Sequence, residues 1–195
     1  MFDAEPAYSA PDLDLADIVL SGQGDRRAFG RIVQRHLAAT TGLAERLLGS
    51  HAEAQDVAQD VFLRAWSQTR SWRGGEAKFS TWLHRVTLSR CTDRLRRRRE
   101  SPLDALPEQG VLDATLETRL QKQAVAARLQ AALRALPERQ REAVVLCHYQ
   151  ELSNIEAAYI LQLSVDALES LLARGRRALR AALMAERHDL SGDLT

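Results

Sequence analysis

Apolar residues recur every three or four positions along most of this chain, which is the spacing of one face of an α-helix. The first long stretch starts near Asp25 and has these apolar positions: Phe29, Ile32, Val33, Leu37, Leu43 and Leu47. This spacing predicts an amphipathic pair of turns or helices. Gly42 and Gly49 are expected to weaken or end these helical segments. A shorter run that begins at Leu15 is spaced for the start of an earlier helix.

Residues 1–20 differ from the rest of the chain because prolines and acids interrupt any periodicity. The first seventeen residues contain no basic side chain but hold Asp3, Glu5, Asp12, Asp14 and Asp17. Such a composition cannot bury much apolar surface, so residues 1–20 are predicted to be a flexible acidic N-terminal tail.

Two longer helices follow. The first is predicted from about Glu53 to Thr69 because one stripe is apolar and consists of Val57, Val61, Phe62, Ala65 and Trp66. Its opposite face is polar and consists of Glu53, Asp56, Gln59, Asp60 and Arg64. After a glycine-containing loop, the second helix is predicted from about Lys78 to Arg99. We therefore assign residues 21–99 to one helical domain.

The periodicity fades after the second of these helices. The next residues are punctuated by Ser101, Pro102, Pro107 and Gly110. Residues 100–122 are therefore predicted to be a linker, long enough for the domains to reposition between states. A second helical domain is predicted over residues 123–186, with a short C-terminal tail over 187–195. Its first apolar stripe contains Val125, Leu129, Ala132, Leu133 and Leu136, and Pro137 suits the first turn of another helix.

A helix-turn-helix is predicted near the end of this second domain. Ser153-Asn154-Ile155-Glu156 has the pattern of a capping box, and Ser164 is placed to cap the next helix a few residues later. The second helix should turn Val165, Leu168, Leu171 and Leu172 inward. It should leave Ala167, Ser170, Arg174 and Arg177 facing outward, where they are positioned to enter a major groove.

Charge is distributed unevenly, although the chain of 195 residues has a formal net charge of only +1. The run from Arg94 to Arg99 is basic at every position except Leu95. Lys78 and Lys122 are the only lysines, so nearly all positive charge is guanidinium, which binds phosphates bidentately. Basic patches of this kind are plausible nucleic-acid contacts on a chain whose total charge is near zero.

Several classes of function are excluded by what the sequence lacks. No apolar run is long enough to span a bilayer, and no secretion signal opens the chain, so a soluble cytoplasmic protein without membrane insertion is expected. Cys91 and Cys147 form neither a disulfide framework nor a metal-binding spacing. The five histidines form no cluster with a nucleophile. We therefore expect no enzyme activity, small-molecule substrate, cofactor or metal.

Three stretches, in this order, resemble the extracytoplasmic-function (ECF) sigma factors of bacterial RNA polymerase. They are AEAQDVAQDVFLRAW from Ala52, KFSTWLHRVTLSRCTDRLRRRR from Lys78, and LPERQREAVVL from Leu136 with the helix-turn-helix that follows. The likeness covers about Asp25 to Arg180. It implies an all-α protein in which sigma domain 2 (residues 21–99) and sigma domain 4 (residues 123–186) are joined by a flexible linker.

The resemblance also implies partners and sites. Asp56, Gln59 and Asp60 would bind RNA polymerase core, and an anti-sigma factor would hold the protein inactive. Contacts to the minus-ten element of promoter DNA would come from Trp72, Lys78, Ser80, Thr81, Arg85, Ser89, Arg96 and Arg97. Contacts to the minus-thirty-five element would come from Ala167, Ser170, Arg174 and Arg177. Phe79 and Trp82 are expected to be core residues.

Ser89 replaces the usual Asn of the family pattern, which leaves the base preference of the minus-ten helix open. Glu169 and Leu171 stand where basic residues are common in the family, and this departure keeps other functions open. A sigma mimic that sequesters an anti-sigma factor without directing transcription is one alternative. A stand-alone helix-turn-helix regulator that dimerises on duplex operators is another.

Overall fold

The computed structural model describes residues 14–73, 77–100 and 116–192, and side chains over 14–73, 77–100 and 124–184. All regular structure within these ranges is helical, which confirms the all-α expectation. The helices are α1 (Leu15–Gly22), α2 (Arg26–Leu48), α3 (His51–Thr69), α4 (Phe79–Glu100), α5 (Leu116–Ala135), α6 (Glu138–His148), α7 (Asn154–Leu161) and α8 (Val165–Gly192). Helices α1–α4 form the first domain, and α5–α8 form the second.

Local signals explain the ends of α2 and α3. The carboxylate of Asp25 accepts hydrogen bonds from the backbone N–H of Arg27 (2.8 Å) and Ala28 (3.2 Å) at the start of α2. Gly49 ends α2 in the left-handed conformation at φ 72°. The hydroxyl of Ser50 then caps α3. Gly42 does not interrupt α2, because one continuous helix crosses it.

An ion-pair network fastens α1 to α2. Asp17 accepts hydrogen bonds from Arg31 (2.9 Å) and Arg35 (2.6 Å), and Asp14 lies 2.6 Å from His36 Nε2. Both acids are buried, as is Ile18, which follows Asp17. Residues 15–20, assigned from the sequence to the flexible tail, therefore lie in a docked helix. Residues 1–13 fall outside the described part of the chain.

The second domain also begins earlier and ends later than its sequence boundaries. Helix α5 includes residues 116–122 of the predicted linker, and residues 101–115 fall outside the described ranges. Val125 is 62% exposed and does not join the predicted apolar stripe, whereas Leu133 is buried. Pro137 stands at the N-cap of α6. Helix α8 continues to Gly192, through most of the predicted C-terminal tail.

A side-chain interface, here called the domain seam, joins the two domains where α2 and α4 pack against α5, α6 and α7. The Nε2 of Gln130 donates to the carbonyl of Arg46 at 2.9 Å, and the guanidinium of Arg46 lies 4.3 Å from the ring centre of Tyr149. Four further contacts are Lys78–Glu156, His84–Gln150, Thr92–Glu142 and Arg99–Glu138. In this arrangement the buried apolar residues of both domains form a single cluster.

Candidate functional site

The predicted polymerase contacts lie on the outer face of α3. Asp56, Gln59 and Asp60 are all exposed, at positions three and four residues apart. The buried stripe of the same helix includes Val57 and Val61, whose packing fixes which face points outward. We call the three polar residues the docking stripe. It presents two carboxylates and one amide along about one helical turn.

An apolar groove runs beside the docking stripe, between α2 and α3. It has a volume of about 460 Å³, and its lining residues include Phe29, Val33, Leu37, Gln59, Phe62, Leu63 and Trp66. Phe29 packs edge-on against Trp66 with ring centres 5.0 Å apart. Leu63 is 62% exposed on the groove rim, and Leu37 is 45% exposed. Gln59 belongs to both features, so a partner helix on the stripe would also reach the groove.

The docking stripe is linked to the basic run of α4. Both terminal nitrogens of Arg94 lie 3.3 Å from one carboxylate oxygen of Asp56, and Arg94 also donates to the carbonyl of Glu53. Arg98 pairs with the Glu53 carboxylate and donates to the carbonyl of Leu48 at 3.1 Å. These pairs bind the C-terminal half of α4 to α3.

The remaining arginines of this run face different surroundings. Arg99 reaches Glu138 across the domain seam at 3.0 Å, and Arg96 pairs with Asp93 on its own helix at 3.3 Å. Arg97 is exposed and makes no ion pair among the described residues. The six-residue run is therefore not a uniform cationic patch, and Arg97 is the exposed arginine of the run without an ion-pair partner among the described residues.

Aromatic residues cluster at the N-terminal end of α4. Trp72 meets Phe79 edge-on at 5.0 Å and Trp82 at 6.2 Å, while Phe79 and Trp82 stack at 5.5 Å. Phe79 is fully buried, as expected of a core residue, and Trp82 is half-buried. Trp72 is also half-buried, and its Nε1 has no hydrogen-bond partner within the described ranges. A buried N–H without an acceptor costs free energy.

The domain seam covers part of the predicted minus-ten surface. Lys78 Nζ lies 3.6 Å from a carboxylate oxygen of Glu156 on α7. His84 Nδ1 lies 2.7 Å from the carbonyl of Ser80, and its Nε2 lies 3.4 Å from the side-chain amide of Gln150. Burial lowers the pKa of His84, so its imidazole is neutral near pH 7. Lys78 and Ser80 are half-buried in this closed arrangement.

The other predicted minus-ten residues divide into two groups. Arg85, Ser89, Arg96 and Arg97 are exposed on α4. Thr81, in contrast, is only 8% exposed, so its prediction as a DNA contact is not supported. The physical reason is that α4 packs against α2, α3 and α7, so a wide part of its surface is covered. The sequence period alone does not reveal this three-sided packing.

The helix-turn-helix is built as predicted. The Ser153 hydroxyl accepts from the Glu156 backbone N–H (3.2 Å), and the Glu156 carboxylate accepts from the Ser153 backbone N–H (3.1 Å), which confirms the capping box. Gln162 turns the chain at φ 57°, and the Ser164 hydroxyl caps α8 through the N–H of Ala167. Leu168 and Leu172 are buried beneath α8, whereas Val165 is 36% exposed and does not face inward.

The outer face of α8 carries most of the predicted minus-thirty-five contacts. Ser170, Arg174 and Arg177 are exposed, but Ala167 is only half-exposed. Arg174 Nε donates to the carbonyl of Ser170 at 3.1 Å. Glu169 shares this face and accepts a hydrogen bond from Asn154 of α7 at 3.2 Å. The residues that meet here therefore include one acid among the basic and hydroxyl side chains.

Features of other functional classes are not found in the described part of the chain. It contains no group of three or more potential metal-binding side chains. Burial raises the pKa of the Cys91 thiol to about 12, which keeps it protonated and poorly nucleophilic. No helix among the described residues is long and apolar enough to cross a membrane.

Sequence reasoning missed three contributors to these surfaces. Leu37 and Leu63 line the apolar groove, and the signal for Leu63 was an apolar residue three positions after Asp60 on a polar helix face. Gly175 was also missed, although it allows α8 to approach α6. A Cβ at this position would lie 2.8 Å from Val144 Cγ2 and 3.4 Å from the carbonyl oxygen of Gln140.

Two family descriptions match this chain. Sigma-70 region 2 matches residues 32–101, and Sigma-70, region 4 matches residues 126–179. The first match contains the docking stripe and all of α4, and the second contains the helix-turn-helix. The matches therefore include both candidate surfaces.

Curated proteins that are similar to this chain are described as ECF sigma factors. ECF RNA polymerase sigma factor SigE of Mycolicibacterium smegmatis is 34% identical over 169 residues, which cover 83% of this chain and 65% of SigE. ECF RNA polymerase sigma factor SigW of Bacillus subtilis is 34% identical over 181 residues, covering 83% of this chain and 91% of SigW. The chain thus spans just under two thirds of the length of SigE and nearly all of SigW.

A solved structure shares the fold. The structure of CnrH in complex with the cytosolic domain of CnrY matches with a TM-score of 0.68 and 30% identity, covering 88% of this chain and 97% of the other. The curated CnrH protein comes from Cupriavidus metallidurans.

Proposed function

Because the chain belongs to the ECF sigma factors of bacterial RNA polymerase, we propose that it binds polymerase core and directs promoter-specific transcription initiation. Members of this family are transcription initiation factors and not enzymes. The observation that carries the proposal is the docking stripe, whose exposed carboxylates border an open apolar groove on α3.

Core docking follows from the chemistry of this surface. Asp60 is exposed and makes no ion pair among the described residues, so it can accept hydrogen bonds from a basic helix of polymerase. Leu63 and Leu37 would be covered by the apolar side of the same helix, in the helix-in-groove mode of recognition. The charged edge would set orientation, and the groove would supply most of the binding free energy.

Minus-ten recognition is proposed for the exposed side of α4. Arg85, Arg96 and Arg97 are accessible to phosphates, and Ser89 can contact a base edge. Trp72 is proposed as the aromatic surface for an extruded base, since it is half-buried and packs beside the N-terminal end of α4.

The closed arrangement of the two domains must open before this surface can work fully. Lys78 is paired with Glu156, and Ser80 lies beside the Gln150 contact of His84. Use of Lys78 and Ser80 on DNA therefore requires α7 to move away from α4. The second domain is then free to place the outer face of α8 in the minus-thirty-five major groove.

An anti-sigma factor is proposed as the regulator. The related protein CnrH has been solved with the cytosolic domain of CnrY, and this chain aligns with 97% of that CnrH chain. A regulator that covers the apolar groove would block polymerase at the same place. Exposed aliphatic residues such as Leu63 make this competition physically reasonable.

The test is retention of polymerase core on the tagged full-length chain, followed by run-off transcription from candidate promoters. The native chain should retain core, and Asp60→Arg should lose it because an acid of the docking stripe becomes basic. Glu151→Arg is the matched control, since it makes the same charge change at an exposed position outside the stripe. Equal retention by Asp60→Arg would contradict the docking site.

Transcription separates the alternatives. Discrete start sites with native chain and core would support the sigma function. Core retention without any start, combined with capture of an anti-sigma factor, would instead favour a sigma mimic. Tight binding to a duplex operator without core would favour a stand-alone regulator.

A further inference from the structure

We propose that Glu169 is a base-reading residue of α8 and that it selects a cytosine within the upstream promoter box. This inference rests on the proposed function, because it assigns a specificity to the helix that is expected to enter the major groove. It concerns an exposed acid of α8 that accepts a hydrogen bond from α7.

The position of Glu169 places it on the reading face. Glu169 is exposed in the second turn of α8 next to Ser170, while Leu168 and Leu172 are buried on the inner side of the same helix. Residues three or four apart share a helix face, so Asp166, Glu169 and Ala173 form an exposed row. A side chain in the first turns of such a helix is the one that contacts base edges.

Asn154 holds Glu169 in a defined orientation. The Nδ2 of Asn154, the first residue of α7, donates to one carboxylate oxygen of Glu169 at 3.2 Å. The second oxygen remains available as an acceptor. Among the described residues no cation forms an ion pair with Glu169, so the carboxylate is not neutralised within the protein. Glu169 is therefore a hydrogen-bond acceptor that Asn154 holds in place and that faces away from the domain core.

A carboxylate on this face needs a specific donor. Near duplex DNA it is repelled by phosphates, so it weakens binding wherever no donor meets it. In the major groove cytosine presents an N4 amino donor, whereas adenine presents its amino donor beside the N7 acceptor. A carboxylate only accepts hydrogen bonds. It is therefore compatible with the amino donor of cytosine and is repelled by the N7 acceptor of adenine. Glu169 therefore favours cytosine by attraction and disfavours other bases by repulsion.

Two arginines in the adjoining exposed row, which contains Ser170, offset the cost of the acid. Arg174 and Arg177 are exposed one and two turns further along α8. Arg174 is anchored through its Nε to the carbonyl of Ser170, which leaves its terminal nitrogens for phosphate. Affinity then comes mainly from these arginines, while Glu169 contributes discrimination.

The experiment uses holoenzyme assembled from polymerase core and the full chain. A promoter library with a randomised upstream box is transcribed, and enriched sequences are read for native protein, Glu169→Gln and Asn154→Ala. Native holoenzyme should enrich cytosine about tenfold over other bases at one position, in line with the usual effect of one base contact. Glu169→Gln should shift that position toward adenine, because a carboxamide offers both a donor and an acceptor.

The control variants separate base reading from general charge and folding effects. Glu151→Gln removes the same charge from an exposed position outside the reading face and should leave the base ranking unchanged. Asn154→Ala should reduce the cytosine preference several-fold without changing the preferred base. Gln at 169 can still accept from Asn154, so thermal unfolding of Glu169→Gln should match that of the native chain.

The outcomes distinguish this inference from the function on which it rests. Discrete transcription with an upstream-box preference that Glu169→Gln does not alter would overturn the assignment and leave the sigma function standing. A uniform change at all positions would also overturn it, since that result indicates phosphate repulsion rather than base reading. If native holoenzyme gives no start sites at all, the proposed function fails and this inference fails with it.

Discussion

The guanidinium of Arg94 lies 3.3 Å from the carboxylate of Asp56, although 38 residues separate them along the chain. One acid of the docking stripe is therefore bound to the first arginine of the basic run. A polymerase helix that pairs with the same oxygen of Asp56 has to displace Arg94. The displaced guanidinium then becomes available to promoter phosphates, so the two binding events are connected through one ion pair.

Arg94→Gln should strengthen core binding, because it removes the internal competitor for Asp56. The expected gain is up to about fivefold, since an exposed ion pair contributes about 1 kcal/mol or less. Anisotropy titration of labelled protein with core measures this change. Arg97→Gln is the control, because Arg97 is exposed and has no described ion-pair partner. A weaker core complex with Arg94→Gln than with Arg97→Gln would contradict the competition.

Gly175→Ala should destabilise the second domain, although alanine normally favours a helix. The new Cβ would lie 2.8 Å from Val144 Cγ2, and overpacking of about 1–3 kcal/mol exceeds a propensity gain of about 1 kcal/mol. Gly30→Ala is the matched control, since no atom lies within 4 Å of its added Cβ, and it should stabilise the protein. Thermal unfolding measures both changes.

A double substitution tests the cause of the Gly175 effect. In a Val144→Ala background the obstructing methyl group is absent, so Gly175→Ala should become neutral or stabilising. If the loss of stability is the same in both backgrounds, close packing of α8 on α6 does not explain it.

The attachment of α1 should weaken in acid. Hydrogen bonds from Arg31 and Arg35 hold the pKa of Asp17 below its ordinary value. An acid whose pKa is lowered by folding stabilises the protein above its unfolded pKa, and this contribution is lost as pH falls through the folded pKa. The free-energy difference between native protein and Asp17→Asn should therefore be largest near neutral pH and should shrink below about pH 4.

Denaturant unfolding from pH 7 to pH 3 checks the Asp17 prediction. Asp60→Asn serves as the comparison, because its exposed carboxylate makes no ion pair in the described chain. A constant difference between native protein and Asp17→Asn across this range would rule out the ionised carboxylate as the source of stability.

Charge reversal across the domain seam should show coupling between Arg99 and Glu138. Arg99→Glu or Glu138→Arg alone places like charges face to face, whereas the double variant restores an ion pair of opposite polarity. A double-mutant cycle on unfolding free energy should give a coupling of about 0.2–1 kcal/mol that decreases with added salt. Strict additivity of the single effects would show that the domains do not meet through this pair in solution.

The sequence predicted the features that depend on nearby residues. Helix α3 begins two residues before the expected Glu53, and the capping box at Ser153 is present because both of its partners lie within four positions. Periodicity and capping act locally, so they can be seen in the chain itself.

The features that escaped prediction depend on distant segments. Thr81 is buried because α4 packs on three sides, and the domain seam joins residues as far apart as His84 and Gln150. The hydrogen bond from Asn154 to Glu169 depends on the angle between α7 and α8, and the spacing of apolar residues in the sequence does not specify this angle. The docking stripe was predictable as an exposed face, but the apolar groove beside it required the packing of α2 on α3.

The two carboxylate oxygens of Glu156 make contacts in different parts of the molecule. One accepts from the backbone N–H (3.1 Å) and the hydroxyl (2.8 Å) of Ser153, and the other faces Lys78 Nζ at 3.6 Å. Opening of the domain seam removes only the second contact, because the first lies within a single loop. The helix-turn-helix can thus detach as a rigid, preorganised body. Promoter engagement then incurs no refolding entropy at the capping box that begins α7.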